Sequence, residues 1–171
     1  MSNPQTKRIL VVDDEDDVRT FLSTALTAAG FDVVTACDGF EALEQIKKQT
    51  PDLISLDLVM PKRSGVKLYH DLSKDKAWSK IPIIIVTGHA RDDLGKADLK
   101  ELTMSGPGIY LEKPVKPDNY IAAIKKTLGM DTTAEEKQAA DKVELQSELK
   151  NLVDDVDLDT LKKIKDMLNK K

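Results

Sequence analysis

The chain has 171 residues, room for one domain of ordinary size and an appendage, and 40% of them are apolar, enough for a real core. Its 26 Lys and Arg stand against 30 Asp and Glu, and the net charge of −4 gives no general attraction to nucleic acid or an anionic membrane. The single cysteine, Cys37, cannot form an internal disulfide, and no apolar run approaches the roughly 20 residues of a membrane span.

Residues 1–7 are polar and show no secretory signal, so a cytoplasmic protein is expected, with Cys37 as a small buried hydrophobe. Ile9-Leu10-Val11-Val12 is a mostly β-branched run, the pattern of a strand covered on both faces, and Asp13-Asp14 follows it. Val18, Phe21, Leu22, Ala25, Leu26 and Ala29 then recur at helical steps until Gly30 caps the pattern. Phe31 to Ala36 reads as a strand and Asp38-Gly39 as a turn. Ala42, Leu43 and Ile46 form the stripe of a second helix ending near Pro51. A third strand, Leu53-Ile54-Ser55-Leu56, delivers Asp57, and Met60 to Gly65 loops into a helix carrying Val66, Leu68, Tyr69 and Leu72. Ile83 to Val86 leads to Thr87, Ile109 to Leu111 leads to Lys113-Pro114, and Pro117 starts a helix with Tyr120, Ile121, Ile124 and Leu128 inward, before Gly129. Five strands alternating with helices predict an α/β fold, a doubly wound five-stranded parallel sheet of flavodoxin-like type.

From Met130 the composition shifts to charged residues with Ala and Leu, so residues 5–129 are expected as one domain and 130–171 as an extension of one or two helices. Leu145, Leu149, Leu152 and Val156 make a coiled-coil-like stripe, and Leu161, Ile164 and Leu168 repeat it in a shorter helix. So few residues bury little surface alone; the stripe is expected to pack on its own domain or on a second copy, as in a homodimer.

The chemistry lies where the strands end. Three carboxylates, a hydroxyl and an ammonium converging at the carboxyl edge of a parallel sheet suit a divalent cation and a phosphoryl group. Crowded carboxylates hold a proton unless a cation offsets their charge, and Mg²⁺ is the hard, oxygen-seeking ion for that role. Asp13, Asp14 and Asp57 fit as metal ligands, Asp57 also as nucleophile. Lys113 would pair with Asp57 or with phosphoryl oxygens, and Thr87 would donate a hydrogen bond to one of them. Asp16 and Asp17 are expected as first-turn charges that suit the helix dipole, and Glu15 as peripheral. His70 is assigned to an exposed helix face and Trp78 to the surface.

Val11-Val12-Asp13-Asp14-Glu15, Asp57-Leu58-Val59-Met60-Pro61, Val86-Thr87-Gly88 and Tyr110-Leu111-Glu112-Lys113-Pro114 resemble the response regulator receiver domain over roughly residues 5 to 129. The resemblance implies Mg²⁺ on the acidic pair and on the Val59 carbonyl, and phosphoryl transfer from a histidine kinase or histidine phosphotransfer protein to Asp57. It also makes Thr87 and Tyr110 the switch residues, makes His89 a modulator of acyl-phosphate hydrolysis, and implies a cis Lys113-Pro114 peptide. Gly88 stands where that family commonly has alanine. The stretch between Thr87 and Lys113 is longer than usual there, and the helix expected within 91–108 belongs to the family's signalling face.

The leading expectation is a phosphorylation switch acting on a protein target, without direct DNA binding, since 130–171 has neither the pattern nor the basic surface of a recognition domain. A phosphorelay intermediate would use the same site. An aspartyl-phosphate phosphohydrolase wants a second acid where Val59 stands, and a flavin module wants a phosphate loop after the first strand.

Overall fold

The structure, a computed structural model, describes residues 6–60, 62, 64–88, 109–154 and 156–169. In chain order the elements are β1 (Arg8–Val12), α1 (Asp16–Ala28), β2 (Asp32–Ala36), α2 (Gly39–Lys48), β3 (Leu53–Leu56), α3 (Gly65–Lys74), β4 (Ile83–Thr87), β5 (Tyr110–Glu112), α4 (Pro117–Thr127), α5 (Ala134–Asp154) and α6 (Leu158–Leu168). The strands form one parallel sheet in the order β2-β1-β3-β4-β5, the doubly wound architecture expected.

Strand alternation divides the core in two. Leu10, Val12, Ile54, Leu56, Ile83 and Ile85 face α2 and α3, with Ile46, Leu68 and Leu72 against them. Ile9, Val11, Leu53, Ile84 and Val86 face the other way, onto Leu22 and Leu26 of α1 and onto Tyr120 and Ile124 of α4. Both faces are covered, which is why these strands are continuously apolar. Among the described residues, no helix is long and apolar enough to cross a membrane.

Helix ends follow local chemistry. Gly30, at φ +91°, closes α1: its N–H donates to the Thr27 carbonyl and that of Phe31 to the Leu26 carbonyl. Gly129, at φ +63°, ends α4 in the same way. Pro117 opens α4. Asp38-Gly39 is not a free turn, because Asp38 is the N-cap of α2 and accepts from the N–H groups of Phe40 and Glu41, both at 2.9 Å. The backbone donors of Glu41 and Phe40, with the nearby Lys62 ammonium, hold the Asp38 carboxyl below the usual carboxylate range. A lowered folded-state pKa contributes stability that is present above the unfolded value, about 3.9, and lost as pH falls through the folded value. Asp38→Ala is therefore expected to cost about 1 kcal/mol at pH 7, with the gap to the parent closing below about pH 4 in urea titrations.

Four burial assignments change. Cys37 is exposed, because it follows the last β2 residue and leads into the cap. Trp78 is half-buried against the α2–α3 side of the core, while Phe21 stands out in solvent. His70 is half-buried, its ring edge-on to Tyr69.

The tail returns to the sheet. Helix α5 lies along α4 and β5, burying Ala140, Val143 and Ser147, and Val143 joins the α1–α4 side of the core. The expected stripe is not the docked one, since Leu145 and Leu149 are exposed. The side chains of Leu152 and Leu168, together with His89, Pro61 and residues 91–108, lie outside the described residues.

Candidate functional site

Backbone pairing carries the strand order through to the reactive residues. The Asp13 N–H donates to the Ala36 carbonyl on β2, the Asp57 N–H to the Val12 carbonyl on β1, and the Lys113 N–H to the Thr87 carbonyl on β4. Each residue is thus held one step past its strand by the neighbouring strand. The four sequence segments meet at one edge of the sheet.

Their side chains converge. Carboxylate oxygens of Asp13, Asp14 and Asp57 lie within 4.8 Å of one another, Asp13 and Asp57 buried and Asp14 half-buried. Lys113 reaches across with its Nζ 2.7 Å from Asp13 Oδ2 and 3.2 Å from Asp57 Oδ2. Burial works against the Lys113 ammonium, but the hydrogen bond it donates to Asp13 and the charge of Asp57 outweigh it and push its pKa up. Asp13 is pushed up by burial, with Lys113 pulling the other way. Asp57 Oδ1 accepts from the Val59 N–H at 3.1 Å, which fixes the carboxylate's orientation and leaves Oδ2 toward the lysine. Thr87 is fully buried and its Oγ1 has no hydrogen-bond partner among the described residues. An idle buried hydroxyl is costly, and functional groups are where such a cost is tolerated. Tyr110 is half-buried on β5, and the Lys113-Pro114 peptide is cis.

Three residues of the site escape a linear reading. Glu15 is not peripheral: its carboxylate sits 3.0 Å from Lys113 Nζ, and its N–H donates to Asp13 Oδ1. Arg19, one helical turn further on, donates to the Asp13 carbonyl and pairs with Asp16. Gly65, at the start of α3, lies so close to the Asp57-Leu58 backbone that a Cβ there would stand 1.9 Å from the Asp57 carbonyl oxygen. Ser64 caps α3 by accepting from the Lys67 N–H, and Gly65 follows it directly.

The donor set bears on the metal. Three hard carboxylates meet with a single ammonium among the described residues, and burial already disfavours the charge on Asp13. Such a site gains from a divalent cation that takes oxygen ligands, as Mg²⁺ does. Asp13, Asp14 and Asp57 fit that role.

Comparison with known proteins agrees with this geometry. The family model of the response regulator receiver domain matches residues 9–125. A probable transcriptional regulator, ycf27, of Porphyridium aerugineum is 39% identical over 124 residues, 72% of this chain and 49% of that protein. The alkaline phosphatase synthesis transcriptional regulatory protein PhoP of Bacillus subtilis is 39% identical over 123 residues, 71% of this chain and 48% of its own length. The chain thus spans about half the length of these curated relatives. Among solved structures, a putative response regulator from Chloroflexus aurantiacus superposes with a TM-score of 0.64 at 30% identity, covering 73% of this chain and 99% of that one.

Proposed function

The chain belongs to the response regulator receiver family of two-component signalling, and from that premise we propose that Asp57 accepts a phosphoryl group from a histidine kinase and that the resulting change controls a protein partner. The observation that supports this most directly is the meeting of three carboxylates with Lys113 at a buried strand edge beside the unpartnered Thr87 hydroxyl. In this reading Asp13, Asp14, Asp57 and the Val59 carbonyl hold Mg²⁺, which when bound offsets carboxylate charge beside the entering phosphoryl group.

The Asp57 carboxylate attacks phosphorus in line. The P–N bond of the donor phosphohistidine breaks, the imidazole leaves with the electron pair and takes up a proton, and an acyl phosphate remains on Asp57. Lys113, already within reach of Asp57 Oδ2, transfers its contact to a phosphoryl oxygen, and Thr87 turns its free hydroxyl toward another. Tyr110, on the strand that leads into Lys113, changes packing with them. Attack of water on phosphorus returns the free carboxylate, and His89 is proposed to modulate that step.

The same proposal places the protein in the cytoplasm and gives it a protein target, without direct contact to DNA. The relatives named as transcriptional regulators extend well beyond the shared segment, so their output is not carried over. Self-association through the exposed Leu145, Leu149 and Val153 side of the tail belongs to the same proposal.

Incubation of the full chain with acetyl phosphate and Mg²⁺ tests the central claim. One phosphate, stable in acid and labile in base, is expected, and a chelator should prevent its incorporation. Phosphate that survives base treatment, or equal labelling in the presence of chelator, overturns the assignment.

A further inference from the structure

Strand β5 is an edge strand and only three residues long. In a parallel strand, alternate residues direct their backbone groups to opposite sides. The Ile109 carbonyl accepts from Ile85 and the Lys113 N–H donates to Thr87, both toward β4, so the backbone groups of Tyr110 face outward. Ser147 of α5 meets them both. Its hydroxyl donates to the Tyr110 carbonyl at 2.9 Å and accepts from the Tyr110 N–H at 3.4 Å. A helix side chain thus takes the place of a sixth strand at this residue.

The rest of the α5 contact is with α4, the most extensive helix–helix contact among the described residues. Among the described side chains of α5, Ala140, Val143 and Ser147 are buried, small groups that let the helix approach closely. The flanking ion pairs, Lys125 with Glu136 and Lys126 with Asp141 and Glu144, are at the solvent boundary, where such pairs contribute little. Between α5 and the segment that follows Lys113 lies a cavity of about 390 Å³, lined by Pro114, Val115 and Lys116 on one side and Lys142 and Gln146 on the other. The helix is therefore held along α4 and pinned to β5 at Tyr110, with a cavity left beside the segment that follows Lys113.

We propose that α5 is a releasable latch on β5: Ser147 holds the strand in the arrangement that pairs Lys113 with Asp13 and Asp57, and phosphorylation of Asp57 frees the helix. The coupling runs along three residues, from the Tyr110 backbone to the Lys113 ammonium. The inference rests on Asp57 as phosphoryl acceptor. A phosphoryl group there gives Lys113 a new anionic partner, and β5, which carries the lysine, adjusts. Ser147 bonds only one arrangement of that strand. By reciprocity, a latch that phosphorylation opens must also oppose phosphorylation, by a factor within the roughly 5- to 150-fold range typical of coupled sites. Release uncovers the β5 edge and the outer side of α4 with Lys125 and Lys126, a surface suited to an acidic amphipathic helix.

The test uses the full chain with acetyl phosphate and Mg²⁺, following phosphate uptake by intact mass and hydrogen exchange of the α5 amides. Phosphorylation should speed exchange across residues 134–147 by about tenfold or more, within the range expected of coupled sites. Ser147→Ala, an exchange that a helix tolerates, should speed exchange of the same amides by about tenfold in the unphosphorylated chain, and Ser147→Thr, which keeps the hydroxyl, should restore the parent protection. Phosphate taken up with unchanged α5 protection overturns the latch and leaves the acceptor assignment standing. Equal α5 protection in the unphosphorylated parent and Ser147→Ala also overturns it. No uptake at all overturns both.

Discussion

Asp57→Asn is expected to abolish phosphate incorporation while leaving the metal-free fold at least as stable as the parent. The asparagine oxygen keeps the acceptor for the Val59 N–H, so the orientation seen at 3.1 Å survives. What disappears is the negative charge beside Lys113 and Asp13. Lys113 retains Asp13 at 2.7 Å and Glu15 at 3.0 Å, so the ammonium is not stranded. Asp57 is one of the charges that push Asp13 up, and its removal relieves that repulsion. A melting temperature in metal-free buffer equal to or slightly above that of the parent is the expected result. Mg²⁺ should then stabilise the variant less than the parent, because one of three carboxylate ligands is lost. A ligand at 100 times its Kd adds about 2.7 kcal/mol of stability, so weaker affinity shows directly in the melting shift. Retained phosphate labelling, or a variant that melts far below the parent, would count against the proposed division of roles.

The legible part of this chain is the part that the sheet dictates. A strand covered on both faces must be apolar throughout, so Asp13, Asp57, Thr87 and Lys113 stand out as the first polar residues beyond four such runs, and parallel pairing brings their ends together. Glu15 was hidden because its exposed backbone position resembles any helix start, and only the reach of Lys113 from a distant strand draws it in. Cys37 misled because small apolar character does not decide burial at a strand end. The tail misled for a different reason. Leu145 and Leu149 carry the visible stripe, yet the surface that α5 meets includes, beside α4, the outer edge of β5 with the two polar backbone groups of Tyr110, and a hydroxyl satisfies those where a leucine cannot. Ala140, Val143 and Ser147 are small enough to let the helix come that close. An apolar-periodicity search is blind to such a face.

Gly65→Ala is expected to be the most destabilising single-methyl change near the site. The added Cβ would lie 1.9 Å from the Asp57 carbonyl oxygen, 2.7 Å from Leu58 Cα and 2.8 Å from the Asp57 carbonyl carbon, all backbone atoms that cannot rotate away. Relief requires α3 to withdraw, which strains the Gly65 N–H bond to the Leu58 carbonyl and pulls Leu68, Tyr69 and Leu72 from the α2–α3 core. Overpacking usually costs about 1–3 kcal/mol, and a collision with fixed backbone belongs at or above the upper end. The contrasting substitution is Gly88→Ala. There the nearest atoms to a new Cβ among the described residues are Cβ and Cδ of Lys113 at 3.9 and 4.0 Å, ordinary contact distances, so a change within about 0.5 kcal/mol is expected. Urea unfolding of the two variants side by side separates steric collision from a general intolerance of change around the site. Because the collision is with Asp57 itself, Gly65→Ala should also weaken Mg²⁺ binding in whatever fraction remains folded, whereas Gly88→Ala should leave it unchanged. Comparable stability for both variants would mean that α3 is not pressed against the Asp57 backbone, and the rigidity attributed to that side of the site would go with it.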